Sequence, residues 1–336
     1  MSVVRVGIFG AGQAGGRHAV ALARQPEAAR VAYVVDPDKE RGAALAGEVG
    51  AAWLPEATPA FWRGVDAVSV CPPHPLLAPL ALDAVAFGKH LLLEKPMALT
   101  LADADAIIAG AKRAGVVLMV GFVHRFRTEV MAAHRHIRAG EIGTPRHAVE
   151  QMIQGAGARP GWVWRREAGG GVLFYSGIHG VDRLRWLLGS EAVSVSAQMR
   201  NVAGAGDAED TLHATITYAN EAVATVTDAI APYPLPAGWT TDVYGTEGAV
   251  LLGADHTASV WRGREPEIVR ATDDDRFVRE TAEFLAAVRE GREPAITGAD
   301  GRAALATALA LHASARSGQP VPLTAIEPAS SGAAHG

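Results

Sequence analysis

The sequence predicts an α/β protein in two domains: a doubly wound parallel sheet, then an α+β domain on a large, mostly antiparallel open sheet. Three observations carry this. Strand and helix signals alternate up to Val120, a glycine-rich turn follows the first strand, and strands bounded by Gly, Asn and Asp turns fill the middle of the chain. At 336 residues the chain exceeds the usual single core, and 49% hydrophobic residues can fill two. The expected division is 1–122 for the first domain, 123–327 for the second and 328–336 for a mobile tail.

In the first half, Val3 to Phe9, Val31 to Val35, Val65 to Val70, His90 to Leu93 and Val116 to Val120 read as strands. Their nearly continuous apolar character suits a parallel sheet covered on both faces. Arg17 to Arg24, Leu76 to Phe87 and Leu101 to Ala114 read as helices, the last with Thr100 as N-cap and Gly115 as its stop. Such a sheet holds ligands at the carboxyl ends of its strands.

The turn Gly10-Ala11-Gly12-Gln13-Ala14-Gly15 opens the first helix directly after the first strand. In this pattern the first Gly makes the turn, the second admits a pyrophosphate to the backbone amides and the third lets helix and strand pack closely. Asp36 ends the next strand, where a carboxylate accepts hydrogen bonds from the adenosine ribose. That carboxylate repels a 2'-phosphate and Pro37 offers no phosphate ligand, so NAD is expected over NADP, with Arg41 the one group that could favour a phosphate.

The second half supplies Arg146 to Gln154, Val193 to Val202, Thr211 to Tyr218, Ala222 to Ile230, Thr240 to Tyr244 and Ala249 to Leu252 as strands. Helices are expected over about Phe277 to Arg289 and Arg302 to Ala315. Between the first two of these strands, Gly169-Gly170-Gly171 leads into a helix whose Ile178, Val181, Leu184 and Leu188 form the buried stripe. Tyr175, His179, Asp182 and Trp186 gather on nearly the opposite side, within about 60° at 100° per residue. A proton carrier, an acid to orient it and two aromatics suit a pocket wall, although a core histidine with packed aromatics fits the same pattern.

Lysine occurs only at 39, 89, 95 and 112, so Lys95 in Glu94-Lys95-Pro96, at the end of an apolar run, stands out. His124 and Arg125 are candidate substrate contacts, a solvated basic turn being the other reading. Trp162 and Trp164 present to opposite faces if extended, so one could stack on a sugar, core or interface burial being the plainer reading. His134 and His136 point about 200° apart on a helix and no carboxylate or cysteine set completes them, so no metal is expected. Neither a nucleophile elbow nor a Walker loop is present.

A net charge of −5 without a basic run argues against a nucleic-acid partner. No segment has the roughly 20 apolar residues of a membrane span, and the start does not read as a secretory signal. The single cysteine, Cys71, cannot form an internal disulfide and reads as a buried strand-end thiol, which fits a reducing, cytoplasmic setting.

Together these segments resemble the Gfo/Idh/MocA oxidoreductases. The resemblance rests on the glycine turn, Asp36, Gly88-Lys89-His90 to Glu94-Lys95-Pro96, Gly121 to His124-Arg125-Phe126, Glu141-Ile142-Gly143-Thr144-Pro145, and Gly169-Gly170-Gly171 to Gly177-Ile178-His179 with Asp182. It implies an NAD-dependent enzyme that moves a hydride between the nicotinamide and a secondary alcohol or ketone of a sugar, sugar derivative or polyol. Cys71, Pro72, Glu94 and Lys95 would join the glycine turn in holding the cofactor. Lys95 would stand beside the reacting hydroxyl and His179 would take its proton. Asp182 would orient the imidazole or bind a substrate hydroxyl, and the bond before Pro96 is often cis in similar proteins. The open sheet would form a homodimer or homotetramer interface. Two departures stand out: Tyr175 replaces an aspartate common in relatives that oxidise inositol, and Leu77 a frequent histidine. The first weakens a cyclitol assignment, leaving Tyr175 to relay a proton or bind substrate. A dihydrodiol or other non-sugar alcohol dehydrogenase, or a dinucleotide-binding sensor without turnover, are the alternatives.

Overall fold

A computed structural model describes residues 3–326 except 156, 158, 237, 272 and 274; the tail at 328–336 lies outside the described residues. The chain divides into two compact units, one of residues 1–126 and 274–302, the other of 127–273 and 303–336. The segment 274–302, which the sequence reading leaves with the second domain, thus belongs to the first unit.

In the first unit β1 (Val4–Phe9), β2 (Ala29–Val35), β3 (Ala52–Leu54), β4 (Ala67–Val70), β5 (His90–Leu93) and β6 (Leu118–Val120) form a six-stranded sheet in the order β3-β2-β1-β4-β5-β6. All of its pairings are parallel. The order runs outward from β1 in one direction and then from β4 in the other, which puts the topological switch point beside the glycine turn. Helices α1 (Gln13–Ala23), α2 (Lys39–Val49), α3 (Pro59–Gly64), α4 (Leu77–Ala86) and α5 (Leu101–Ala114) connect the strands, with α1 packed on α2 and α4 on α5. Right-handed crossovers place those two pairs on opposite faces of the sheet. With cover on both sides, β4 and β6 are buried along their whole length. The caps are as the sequence reads: Thr100 Oγ1 accepts from Asp103 N at 3.1 Å, and Gly115 ends α5 at φ +65°.

The second unit begins with α6 (Thr128–Arg138), then β7 (Pro145–Gln154), α7 (Ile178–Leu188), β8 (Ala192–Arg200), β9 (Thr211–Tyr218), β10 (Val223–Ile230), β11 (Gly238–Gly245), β12 (Ala249–Leu252), β13 (Thr257–Trp261) and β14 (Pro266–Arg270). After α8 (Arg276–Glu290) in the first unit and α9 (Gly298–Ser317), a two-residue β15 (Val321–Pro322) completes a nine-stranded sheet. Its order is β14-β13-β12-β11-β7-β10-β9-β8-β15, and only β7 with β10 runs parallel. Strands such as β9 and β10 alternate buried with half-buried or exposed residues, so one face is covered and the other open. On the covered side α6 packs on β12 and β13, and α7 on β7 and β10.

Candidate active site

The glycine turn can be tested for its ligand by asking what each glycine excludes. Gly10 sits at φ +86°, and a Cβ there would meet the Cys71 carbonyl oxygen at 2.8 Å. At Gly15 a Cβ would overlap the Gly10 carbonyl oxygen, so the helix can lie this close to the strand only without one. A Cβ at Gly12 would meet nothing within 4 Å. Gly12 is also the N-cap of α1 and brings no side chain to its amides, which leaves the positive end of the helix dipole for an anion. Tight turn, open middle and close packing are the three features a dinucleotide pyrophosphate requires.

Asp36 closes the same site. Its Oδ2 accepts from Ala11 N at 2.7 Å and its Oδ1 from Asp38 N at 2.9 Å, and Arg41 Nη2 reaches Oδ1 at 2.7 Å. Burial opposes the carboxylate's charge, but Arg41 and the two backbone amides outweigh it and hold the acid below its ordinary range. Arg41, the group that could have favoured a 2'-phosphate, is committed to Asp36.

The carboxyl ends of β4 and β5 bring in the remaining expected residues of this unit. Cys71 is buried, and its Sγ lies 3.3 Å from Ser69 Oγ and 3.6 Å from His18 Nδ1. No local pattern marks that histidine neighbour, which α1 brings from 53 residues away. After β5, Glu94-Lys95-Pro96 turns through a cis peptide at Lys95-Pro96, and Glu94 Oε2 accepts from Lys95 N at 3.1 Å. His18 Nε2 lies 3.3 Å from both Glu94 Oε1 and Glu280 Oε2. Burial works against a charged imidazole, yet Cys71, Glu280 and Glu94 together push its pKa well up. Burial likewise opposes charge on both acids; His18 and Lys95 nevertheless lower Glu94, whereas burial prevails at Glu280 and raises it. The ionised state is therefore a shared one, with the bend that carries Lys95 anchored to α1 and α8 through a buried imidazole.

His124 and Arg125 are both buried, which replaces the solvated-turn reading, and Arg125 Nη2 donates to Asp300 Oδ1 at 3.1 Å.

In the second unit Gly171, at φ +103°, has no room for a Cβ because the Glu209 carboxylate occupies that place. Glu209 Oε1 accepts from Leu173 N at 3.4 Å, so this acid secures the start of the turn that leads to Tyr175. Burial pushes Glu209 up to about 7, and burial pulls His312, 3.8 Å away, down to about 4. Residues Leu173–Gly177 form a π-helical turn that passes directly into α7, an irregularity that often marks functional sites. Ser176 Oγ pins the turn to Asp228 Oδ2 at 2.9 Å. Two turns on, Arg183 pairs with Glu150 of β7, whose Oε2 also accepts from Thr241 Oγ1 at 2.6 Å, fixing α7 on the sheet.

The helix so fixed holds His179 and Asp182, both buried, with the His179 ring 6.3 Å from that of Trp239. Tyr175 faces Trp162 edge-on at 6.4 Å. Trp162 and Trp164 belong to a 3₁₀ turn (Gly161–Trp164) rather than an extended segment. Trp186 stacks on His134 of α6 at 3.7 Å, and His136 turns to Glu141 at 2.9 Å. Trp239, Glu209, His18 and Glu280 are members of these sites that the sequence reading passed over. Only Glu280 left a trace, lying inside the apolar stripe of α8 between Phe277 and Phe284.

Comparison with known proteins agrees with this geometry. Residues 4–122 match the oxidoreductase family with an NAD-binding Rossmann fold, and residues 130–251 match the GFO/IDH/MocA C-terminal domain. The chain is 30% identical to scyllo-inositol 2-dehydrogenase (NAD(+)) of Bacillus subtilis (strain 168), over 95% of this chain and 96% of that one. To 1,5-anhydro-D-fructose reductase of Ensifer adhaerens it is 33% identical, over 86% and 90%. Among solved structures, GenD2 from gentamicin A biosynthesis in complex with NAD superposes with a TM-score of 0.86 at 28% identity, covering 96% of this chain and 97% of the other. A glycine turn shaped for a pyrophosphate, an anchored Lys95 bend, a π-turn carrying Tyr175 and His179, and these likenesses lead to one conclusion: the chain belongs to the Gfo/Idh/MocA family of NAD-binding oxidoreductases.

Proposed function

We propose that the chain oxidises a secondary alcohol of a sugar, sugar derivative or polyol, or reduces the matching ketone, with NAD as cofactor. The observation that carries this is the placement of Lys95 on the cis-proline bend after β5, at the same edge of the sheet as the glycine turn after β1. Bound NAD supplies the hydride acceptor. Gly10, Gly12, Gln13, Ala14 and Gly15 would hold its pyrophosphate, Asp36 its ribose, and Cys71, Pro72 and Glu94 would line its further course.

His179 takes the hydroxyl proton at an imidazole nitrogen as the alcohol is oxidised and returns it in reduction, a task suited to an imidazole, which can both accept and donate a proton. The ammonium of Lys95 stabilises the developing alkoxide or polarises the carbonyl. Asp182 orients the imidazole or binds a substrate hydroxyl, and Tyr175 binds substrate or relays a proton. His124, Arg125 and Trp162 are proposed as further substrate contacts. Relatives named for an inositol and an anhydrofructose support a polyhydroxylated substrate. The open face of the nine-stranded sheet, where His147 stacks on Tyr244 at 5.8 Å, is the proposed interface of a homodimer or homotetramer. Among the described residues no helix is long and apolar enough to cross a membrane; with one buried cysteine, the cytoplasm is the proposed location.

The test is a panel of sugars, sugar acids, cyclitols and diols followed by NADH absorbance. Lys95→Ala and His179→Ala are expected to lose at least about 100-fold in kcat, the usual contribution of a positioned acid or base, while still binding NADH. Normal turnover in either variant defeats the assigned roles.

A further inference from the structure

We propose that Arg159, Gln154 and Tyr175 form a subsite for a carboxylate on the substrate, which makes a sugar acid, rather than a neutral polyol, the substrate class of this chain; the proposal deepens the hydride-transfer reading and rests on it. The period of β7 places Glu150, Met152 and Gln154 on the same side of the strand. The first two are fully buried, and Glu150 meets Arg183 of α7, so that side faces the helix. Gln154 ends the strand, and Tyr175 lies one helical turn before His179.

Arg159 brings these two residues together. Its guanidinium carbon stands 5.8 Å from the Tyr175 ring centroid, while Nη2 donates to Gln154 Oε1 at 3.3 Å and to the Gly155 carbonyl at 3.3 Å. Nη1 donates to the same Gly155 carbonyl at 3.3 Å and to that of Gly157 at 3.5 Å. Every one of these acceptors is neutral. Among the described residues no carboxylate is ion-paired with Arg159, whereas Arg183 of α7 is neutralised by Glu150.

Two donors remain. Arg159 Nε and Gln154 Nε2 are both shut off from solvent and have no acceptor among the described residues. The Gln154 amide is already oriented, since its oxygen serves Arg159. Enclosed donors of this kind are costly unless something completes them. A carboxylate is the ligand that satisfies both: it has two oxygens, accepts from several donors at once, and cancels the guanidinium charge. A tyrosine at position 175 matters to the same end. A carboxylate side chain there would neutralise Arg159 from within and repel an anionic ligand, but an aromatic face holds the guanidinium and leaves its charge available. Trp162, edge-on to Tyr175, flanks the ring.

The experiment compares matched acid and neutral pairs, D-gluconate with D-glucitol and D-galactonate with galactitol, on the full chain with NAD. The wild type is expected to favour the acid of a pair in kcat/KM. Arg159→Gln is expected to lower the acid-to-neutral ratio roughly 10- to 100-fold, the worth of a charge-assisted hydrogen bond, and Arg159→Lys to restore part of it. A second measurement separates this claim from the hydride reading: calorimetric titration of each acid into the NADH-loaded chain, where no alcohol is oxidised. Acids that bind the wild type and fail to bind Arg159→Gln uphold the subsite even if no panel member is turned over, in which case the hydride reading alone falls. An acid-to-neutral ratio unmoved by Arg159→Gln, equal acid binding in the two proteins, or no acid binding to the wild type overturns the proposal.

Discussion

Replacing His18 by Gln tests whether the Lys95 bend is held by a buried charge. His18 is fully buried, and its Nε2 lies 3.3 Å from one oxygen of Glu94 and 3.3 Å from one of Glu280, itself fully buried. At an effective dielectric constant near 20, one pair of unit charges at that distance attracts by about 5 kcal/mol, most of which offsets the cost of removing the groups from water. Gln keeps a hydrogen-bonding tail of similar reach but removes the cation, so two acids are left enclosed without it. The expected loss is about 3–5 kcal/mol, the usual result of breaking a buried pair from one side. Glu280→Gln should partly cancel it: the double variant is expected to be less destabilised than the sum of the singles by about 1–3 kcal/mol.

The assay is urea unfolding followed by circular dichroism and by loss of NADH binding, which reports the first unit, with the midpoint read at constant slope. pH supplies a second arm. The folded pKa of His18 is raised, so above the ordinary imidazole value the folded chain holds a proton that the unfolded chain has lost. The stabilisation is then complete below about 6.5 and is lost as pH rises through the folded value. The gap between wild type and His18→Gln should accordingly narrow in the alkaline range. A variant within about 0.5 kcal/mol of wild type at neutral pH, or a gap that widens with pH, refutes the reasoning.

Two further outcomes follow from the same geometry. Gly12→Ala puts a methyl into open space, so its melting temperature should stay within about 2 °C of wild type while NAD binding, read by fluorescence titration, weakens; Gly15→Ala, which must displace the Gly10 carbonyl, should lose several degrees without any ligand. Glu209 and His312 have opposite leanings, the acid raised to about 7 and the imidazole lowered to about 4. Folded Glu209 binds protons more tightly than unfolded, so its contribution is lost as pH rises from about 4.5 to 7. His312 is the reverse, its contribution being lost as pH falls from about 6.5 to 4. Each masks the other, and relative to wild type Glu209→Gln should gain stability and His312→Gln should lose it over that range in melts taken at half-unit steps.

Period and turn chemistry made the first unit readable. Continuous apolar strands, Thr100, Gly115, the glycine turn and Asp36 each have a local cause, and each stands where that cause puts it. The short β3, and β13 and β14 beyond the last expected strand, were missed because three to five residues with mixed burial give too little alternation to distinguish from loop. Phase along α7 groups Tyr175, His179, Asp182 and Trp186 on one side, but it carries no information on the neighbouring helix, and so none on the stack of Trp186 on His134 of α6. Glu209, Trp239 and His18 reach their places through sheet register and crossovers spanning tens of residues, for which no local pattern exists. Glu280 was visible as a charge inside an apolar stripe, the one hidden member whose anomaly could be read beforehand.

The return of α8 to the first unit bears on biosynthesis. The strands and glycine turn that begin the chain leave the ribosome long before Arg276, yet Thr281, Phe284 and Leu285 that belong with them arrive only after the entire nine-stranded domain but its last edge has been made. A nascent chain stopped at residue 273 therefore lacks Glu280, one of the two acids beside His18, and its nucleotide unit should remain protease-sensitive until translation has passed α8.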